Sequence, residues 1–230
     1  MRFERGMLVG LDEPVTRYLT HAIAEGTQLV PGVRIRMTGR IRVRAWLPFT
    51  ADQECDGRSF TWRARVGWGP LTPLVVTDRF AGGAGSMDGR LLGRVPLFHA
   101  DDPDTGRSAA GRAALEAILS PVGLLPRPGV AWRADDDAVV AALEIPPERP
   151  EVRIEIDGRG AVRSVSALRW GNAGQDAFGY IPFGGHVHAE RTFGGLTVPS
   201  RLSVGWWFGT PRYEPFFEAE ITDLAQVGAG

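Results

Sequence analysis

Residues Val33 to Ala45 alternate almost without error. Val33, Ile35, Met37, Ile41, Val43 and Ala45 fall on one side, and Arg34, Arg36, Arg40, Arg42 and Arg44 on the other. A side-chain period of 2 marks a β-strand with one covered face, because successive residues point to opposite sides of a pleated sheet. The apolar set must be covered by protein, and the arginines must meet water or an anion. The pattern returns at Arg58 to Trp68, where Phe60, Trp62, Ala64, Val66 and Trp68 share one face. Further strands are predicted at Leu74 to Phe80, Arg90 to Phe98, Val130 to Ala134, Ala138 to Glu144, Val152 to Ile156, Val162 to Trp170, His186 to Phe193, Arg201 to Phe208 and Tyr213 to Thr222. Asp157-Gly158-Arg159-Gly160 supplies a hairpin turn between two of them.

Two helices complete the prediction. Asp12 caps the first, with Pro14 in its opening turn, a stripe of Val15, Leu19, Ala22 and Ile23, and Gly26 beyond its end. The second spans Ser108 to Leu119 and stops at Pro121. About ten or eleven strands in hairpin order imply an antiparallel sheet that must curl or close. The expected fold is therefore β-rich α+β: a single curled antiparallel sheet, a half-barrel or open barrel, with two helices covering its concave face. Residues 1–230 are read as one domain, since there is no low-complexity linker and no internal repeat.

The formal net charge is −1, which gives general nucleic-acid binding no electrostatic footprint. All 26 basic residues are arginine. Cys55 is alone, so no internal disulfide can form. Met1 to Leu11 offers no apolar signal-peptide core, which makes cytoplasmic location the expectation. No apolar run is long enough for a membrane helix.

No motif names a reaction. The glycine-rich stretch Ala81 to Gly89 lacks the Gly-Lys-Ser/Thr ending of a phosphate loop and is followed by a strand pattern, so it is read as a hairpin turn near a ligand mouth. His186 and His188 share a strand face with Glu190, which superficially resembles the first cupin motif. The spacing to the glutamate differs and the second motif is missing, so no metal site is assigned; His99 or Asp78 would have to complete one from other strands. His99 precedes Asp101, Asp102 and Asp104, read as a solvated turn, and Asp135 to Asp137 is read as a hairpin tip. Glu116 lies among Ala113, Ala114, Leu115, Ala117 and Ile118; packed into the sheet it could act as an acid or base, or it could simply pair with Arg112 four residues earlier. Seven tryptophans, Trp46, Trp62, Trp68, Trp132, Trp170, Trp206 and Trp207, with Phe208, Phe216 and Phe217, supply either a core or a pocket wall.

Several short segments carry a resemblance: Asp12-Glu13-Pro14-Val15-Thr16-Arg17-Tyr18-Leu19, Phe60-Thr61-Trp62, Asp78 to Gly93, Leu115-Glu116, Gly129-Val130-Ala131-Trp132, and Asp157-Gly158-Arg159-Gly160 ahead of Arg169. Together they resemble a bacterial family known only as a domain of unknown function. The resemblance implies a curved antiparallel sheet with helices on its concave side, similar to the half-barrel of bacterial lipoprotein carriers. The chain departs from those carriers in having no export signal, and from the family pattern near Ser120 and Pro121, where an aromatic is expected before the proline.

Three function classes follow. The first is a binding or carrier module holding a hydrophobic small molecule on a concave surface formed by Met37, Phe60, Trp62, Trp68, Trp132, Arg169, Trp206, Phe208 and Tyr213. The second is a cofactor-independent isomerase, cyclase or hydrolase using Glu116, His99, His186 and His188 as acid–base groups in the same pocket. The third is an interaction module presenting the arginine face to an acidic partner. No cofactor is implied, and the oligomeric state is open.

Overall fold

The computed structural model describes residues 1–68, 74–136 and 138–228. Its strands are β1 (Val33–Arg42), β2 (Trp46–Cys55), β3 (Phe60–Val66), β4 (Leu74–Ala81), β5 (Ala84–Leu91), β6 (Val95–Ala100), β7 (Val130–Asp135), β8 (Ala138–Leu143), β9 (Glu151–Ile156), β10 (Val162–Gly171), β11 (Gly179–Phe193), β12 (Leu196–Trp206) and β13 (Glu214–Gln226). Helix α1 covers Glu13–Ala22, and α2 covers Pro103–Leu115. All the strands belong to one antiparallel sheet in the order β6-β5-β4-β3-β2-β1-β13-β12-β11-β10-β9-β8-β7. Each half of the sheet is a run of consecutive hairpins, and the halves are sewn together where β1 pairs with β13, from Val33 opposite Gln226 to Ile41 opposite Phe217. The sheet is not closed, because β6 and β7 form its two edges.

The curl follows from what α2 touches. That one helix packs against β4 and β5 near one edge and against β10 towards the other. Strands so far apart in the order can share one helix only if the sheet bends round it. Glycine makes the approach possible: a Cβ on Gly85 of β5 would lie 2.8 Å from that of Ala109 and 3.0 Å from Gly106 of the helix. On the other flank, a Cβ on Gly111 would lie 2.9 Å from Cγ of Arg169 on β10.

The sheet has 13 strands where the alternation predicted about ten or eleven. Strand β2 was hidden by Pro48 and by polar Gln53 at a covered position. Strand β5 occupies the stretch expected to be a loop, where Gly85 is small to admit α2 and Gly89 lies beneath the ring of Phe98. The predicted strand Arg90 to Phe98 is broken at Leu92 and Gly93, which both take positive φ and form the turn into β6. The opening strand ends at Arg42, leaving Val43 exposed.

Helix α2 begins five residues before its predicted start. Pro103 sits in its first turn, and Asp102 caps it by accepting from the Thr105 N–H at 2.8 Å. Its α-helical part stops at Leu115, and Glu116–Leu119 continues as a 3₁₀ turn. Asp12 precedes α1 as predicted but caps nothing there; its Oδ2 accepts instead from the Ala134 N–H on β7. The Asp157 turn forms as expected, with Oδ1 accepting from the N–H groups of Arg159 and Ala161. The predicted hairpin tip at Asp135 to Asp137 extends at Asp137 outside the described residues.

The outer face of β1 is the arginine row. Arg34 pairs with Glu54 at 2.8 Å, Arg40 with Glu218 at 2.6 Å, and Arg42 with Glu214, so acidic rows on β2 and β13 answer the basic one. Among the described residues, no helix is long and apolar enough to cross a membrane.

Candidate functional site

The inner face changes character along the strands. At the end marked by Val33, Cys55, Phe60 and Phe80, the side chains are fully buried beneath the helical segments. At the opposite end, Ile41, Leu47, Leu74, Val204, Trp206 and Phe217 are only half-buried. Aromatic rings mark the border. Phe49 stacks on Phe217 at 5.0 Å and meets Trp62 edge-on at 6.0 Å, while Phe183 meets Trp206 edge-on at 4.8 Å and Phe216 at 6.2 Å. Because Phe216 and Phe217 are neighbours on β13, the two clusters form one band across the sheet.

Charge lies beside this band. The Arg112 guanidinium, delivered by α2, reaches Asp78 Oδ2 on β4 at 2.6 Å and Glu116 Oε1 at 2.6 Å, and lies 4.4 Å from the ring centre of Phe60. Gln53 Nε2 donates to the second oxygen of Glu116 at 2.7 Å. Burial works against the Arg112 charge, but Glu116 and Asp78 outweigh it, and its pKa is held above the ordinary arginine range. Glu116 thus has both oxygens engaged: the helical pair predicted with Arg112 forms, at a partly buried position.

Arg169 is the second cation. Its stem lies against Gly111, its Nε donates to the Ser108 carbonyl at 3.0 Å, and its guanidinium sits 4.7 Å from the ring centre of Phe183 and 5.1 Å from that of Trp206. No carboxylate lies within ion-pair distance of it among the described residues. Burial, and then the neighbouring Arg112, push its pKa down to about 10, so at neutral pH it is still charged.

The structure separates the residues that the sequence grouped together. Phe60, Trp62, Glu116, Arg169 and Trp206 meet on the inner face, and Met37 is buried there in the core. Trp132 belongs to structural packing, with its ring 5.8 Å from Tyr18 of α1 and its Nε1 donating to the Leu124 carbonyl. His186, Phe208 and Tyr213 form an aromatic cluster on the outer face, with ring centres 5.0 to 5.8 Å apart. His188 is also on the outer face, hydrogen-bonded to Ser203. Trp68 lies past the end of β3, where Gly67 takes φ 131° and breaks the alternation, so its ring leaves the inner face and is 72% exposed. His99 is exposed on β6 between Asp88 and Asp101, which hold its pKa above the ordinary imidazole value. The four proposed acid–base groups are therefore not gathered in one pocket.

Sequence reasoning missed Gln53 and Phe183, and left Asp78 without a role. Asp78 carried a signal: it shares parity with Phe80 and Val76, a carboxylate on the covered face of a strand. Gln53 and Phe183 were signalled only by register across the sheet.

A surface groove of about 720 Å³ opens on the outer face, lined among others by Arg40, Trp46, Trp68, His188, Arg201 and Glu218. It lies behind the aromatic band and includes the paired Arg40 and Glu218. Among the described residues, no group of three or more His, Cys, Asp or Glu side chains could hold a metal ion.

This architecture defines a class, the open half-barrel: one antiparallel sheet curled round helices, with an aromatic inner wall. Residues 9–225 match the model of a family of unknown function, DUF6920, and the chain belongs to that family. This accords with the resemblance carried by its short segments. No curated protein matches the chain. Among solved structures, a LolA superfamily protein from Nitrosomonas europaea is similar at 8% identity, covering 94% of this chain and 93% of its own, with a TM-score of 0.48. A DUF1329 family protein from Desulfovibrio piger is similar at 10% identity, covering 87% of this chain and 88% of its own, also with a TM-score of 0.48. Neither likeness is close enough to speak to ligand or partner.

Proposed function

We propose that the protein binds a hydrophobic small molecule on the inner face of its curled sheet. One observation carries this reading: the aromatic band from Phe49 to Trp206 divides a fully buried core from a half-covered apolar wall on the same strands. Aromatic and aliphatic side chains left partly open on a concave surface, with few polar groups beside them, are the usual lining of a small-molecule site. The enzyme alternative draws no such support. Glu116 is committed to Arg112 and Gln53, and the histidines face the other way. On β1, Arg34, Arg36, Arg40 and Arg42 each have a carboxylate partner, which leaves the acidic-partner reading less unmatched charge.

Binding is tested with the neutral solvatochromic dye Nile red. The wild-type protein is expected to bind it with a blue-shifted emission, and Trp206→Ala, which removes ring area from the band, to weaken binding roughly tenfold. Trp46→Ala, in the outer groove, is expected to leave it unchanged. The opposite ranking of the two variants moves the site to the outer face and refutes this proposal.

A further inference from the structure

The polar groups beside the aromatic band are out of balance in one direction. Arg169 makes one hydrogen bond among the described residues, through Nε, and lies within ion-pair distance of no carboxylate. In the same band, the buried Trp62 Nε1 has no acceptor among the described residues. The nearby carboxylates are both engaged elsewhere: Asp78 through Oδ2 by Arg112, and Glu116 through both oxygens by Arg112 and Gln53. Among the described residues, Trp62 Nε1 and the terminal nitrogens of Arg169 have no protein acceptor, and an anion or a carbonyl would supply one. A buried or half-buried guanidinium without a counter-charge is costly unless something completes it.

We infer that the ligand is an amphipathic monocarboxylate, whose apolar body lies along the Phe183–Trp206 side of the band and whose carboxylate is received by the Arg169 guanidinium. This rests on the proposed apolar binding and adds the chemical class. The planar fork of arginine matches a carboxylate with two parallel N–H···O bonds, and Arg169 has its terminal nitrogens to offer because its Nε already anchors it to α2. The charge count restricts the anion further. Asp78 and Glu116 both pair with Arg112, and the four charges, Arg169 included, sum to zero, so a monoanion paired with Arg169 leaves a net charge of −1, whereas a dianionic phosphate leaves −2 with no further cation in the cluster to answer it. Arg169 also closes a physical link, since the group that would hold the carboxylate hydrogen-bonds to the backbone of the helix spanning the curl.

The experiment compares dodecanoate with 1-dodecanol, two probes with the same chain and different heads, as competitors for Nile red. The wild-type protein is expected to bind dodecanoate about tenfold to a hundredfold more tightly than dodecanol, the range for one charge-assisted bidentate pair. Arg169→Gln is expected to abolish that preference while leaving dodecanol binding intact. Dodecyl phosphate, as a dianion at pH 8, is expected to bind more weakly than dodecanoate. Equal binding of acid and alcohol by the wild-type protein overturns the carboxylate assignment and leaves the apolar site standing. Binding of neither overturns both. The wild-type comparison needs no variant, so it decides the question even if Arg169→Gln fails to fold.

Discussion

A single buried hydroxyl illustrates how this core tolerates a polar atom. Tyr18 on α1 is fully buried, its ring is tilted against that of Trp132, and its hydroxyl has no hydrogen-bond partner among the described residues. An unpartnered buried donor costs about 1 to 3 kcal/mol. Tyr18→Phe keeps the ring and removes the cost, so it is expected to stabilise the protein by about 1 kcal/mol in urea unfolding; a loss of stability would mean that the hydroxyl has a partner in solution. Arg112 shows the reverse case. Its charge is satisfied on two sides, and the cluster is legible in the sequence only as the i, i+4 pair with Glu116. Asp78 and Gln53 come from strands that no local pattern joins to α2, which is why the sequence shows half of the cluster.

At the scale of elements, strands with alternating apolar and charged residues were legible because one face meets water. Two were not: β2, which carries Gln53 inward, and β5, whose Gly85 faces helix α2. Strand β5 is the clearest case, since the glycines that make it look like a loop are the residues that let α2 lie against it. Gly85→Ala places a methyl 2.8 Å from Ala109 Cβ, where neither backbone can yield freely. The expected cost is about 1 to 3 kcal/mol, the range for overpacking, with Gly158→Ala, in an exposed turn at ordinary φ, as the comparison for a change that meets no neighbour. Equal thermal shifts for both variants would refute the close packing of α2 on β5. The inner aromatics were legible as residues but not as a site: parity placed Phe60 and Trp62 correctly, whereas Trp68 was lost because one glycine at the strand end reversed the direction of the ring.

For the whole molecule, the buried ionisable groups set the alkaline limit. Burial, followed by Glu116, pushes the Cys55 thiol far above its ordinary 9.0, and burial does the same to the Tyr18 phenol above 10.0. A pKa raised by folding gives stability that is complete below the unfolded value and lost as pH climbs towards the folded one. Stability is therefore expected to fall above about pH 9, at a slope approaching 1.4 kcal/mol per pH unit for the thiol alone. Cys55→Ala should move the onset up towards pH 10, where tyrosine takes over. Arg169, whose pKa is lowered, works in the opposite sense from about pH 10 upward. An unchanged onset in the alanine variant would show that the thiol is not the first group to titrate.

The seam between β1 and β13 bears on how the chain is made. Within this sheet, the first strand to leave the ribosome pairs on one side with the last, so until β13 arrives one long edge of β1 lacks its partner strand. Such an edge invites pairing with the wrong chain, and charged side chains along it discourage that. The arginine row, with Arg34, Arg36 and Arg40 exposed on one face, then guards the half-built sheet, before Glu218 and Glu214 arrive to neutralise Arg40 and Arg42 in the finished one.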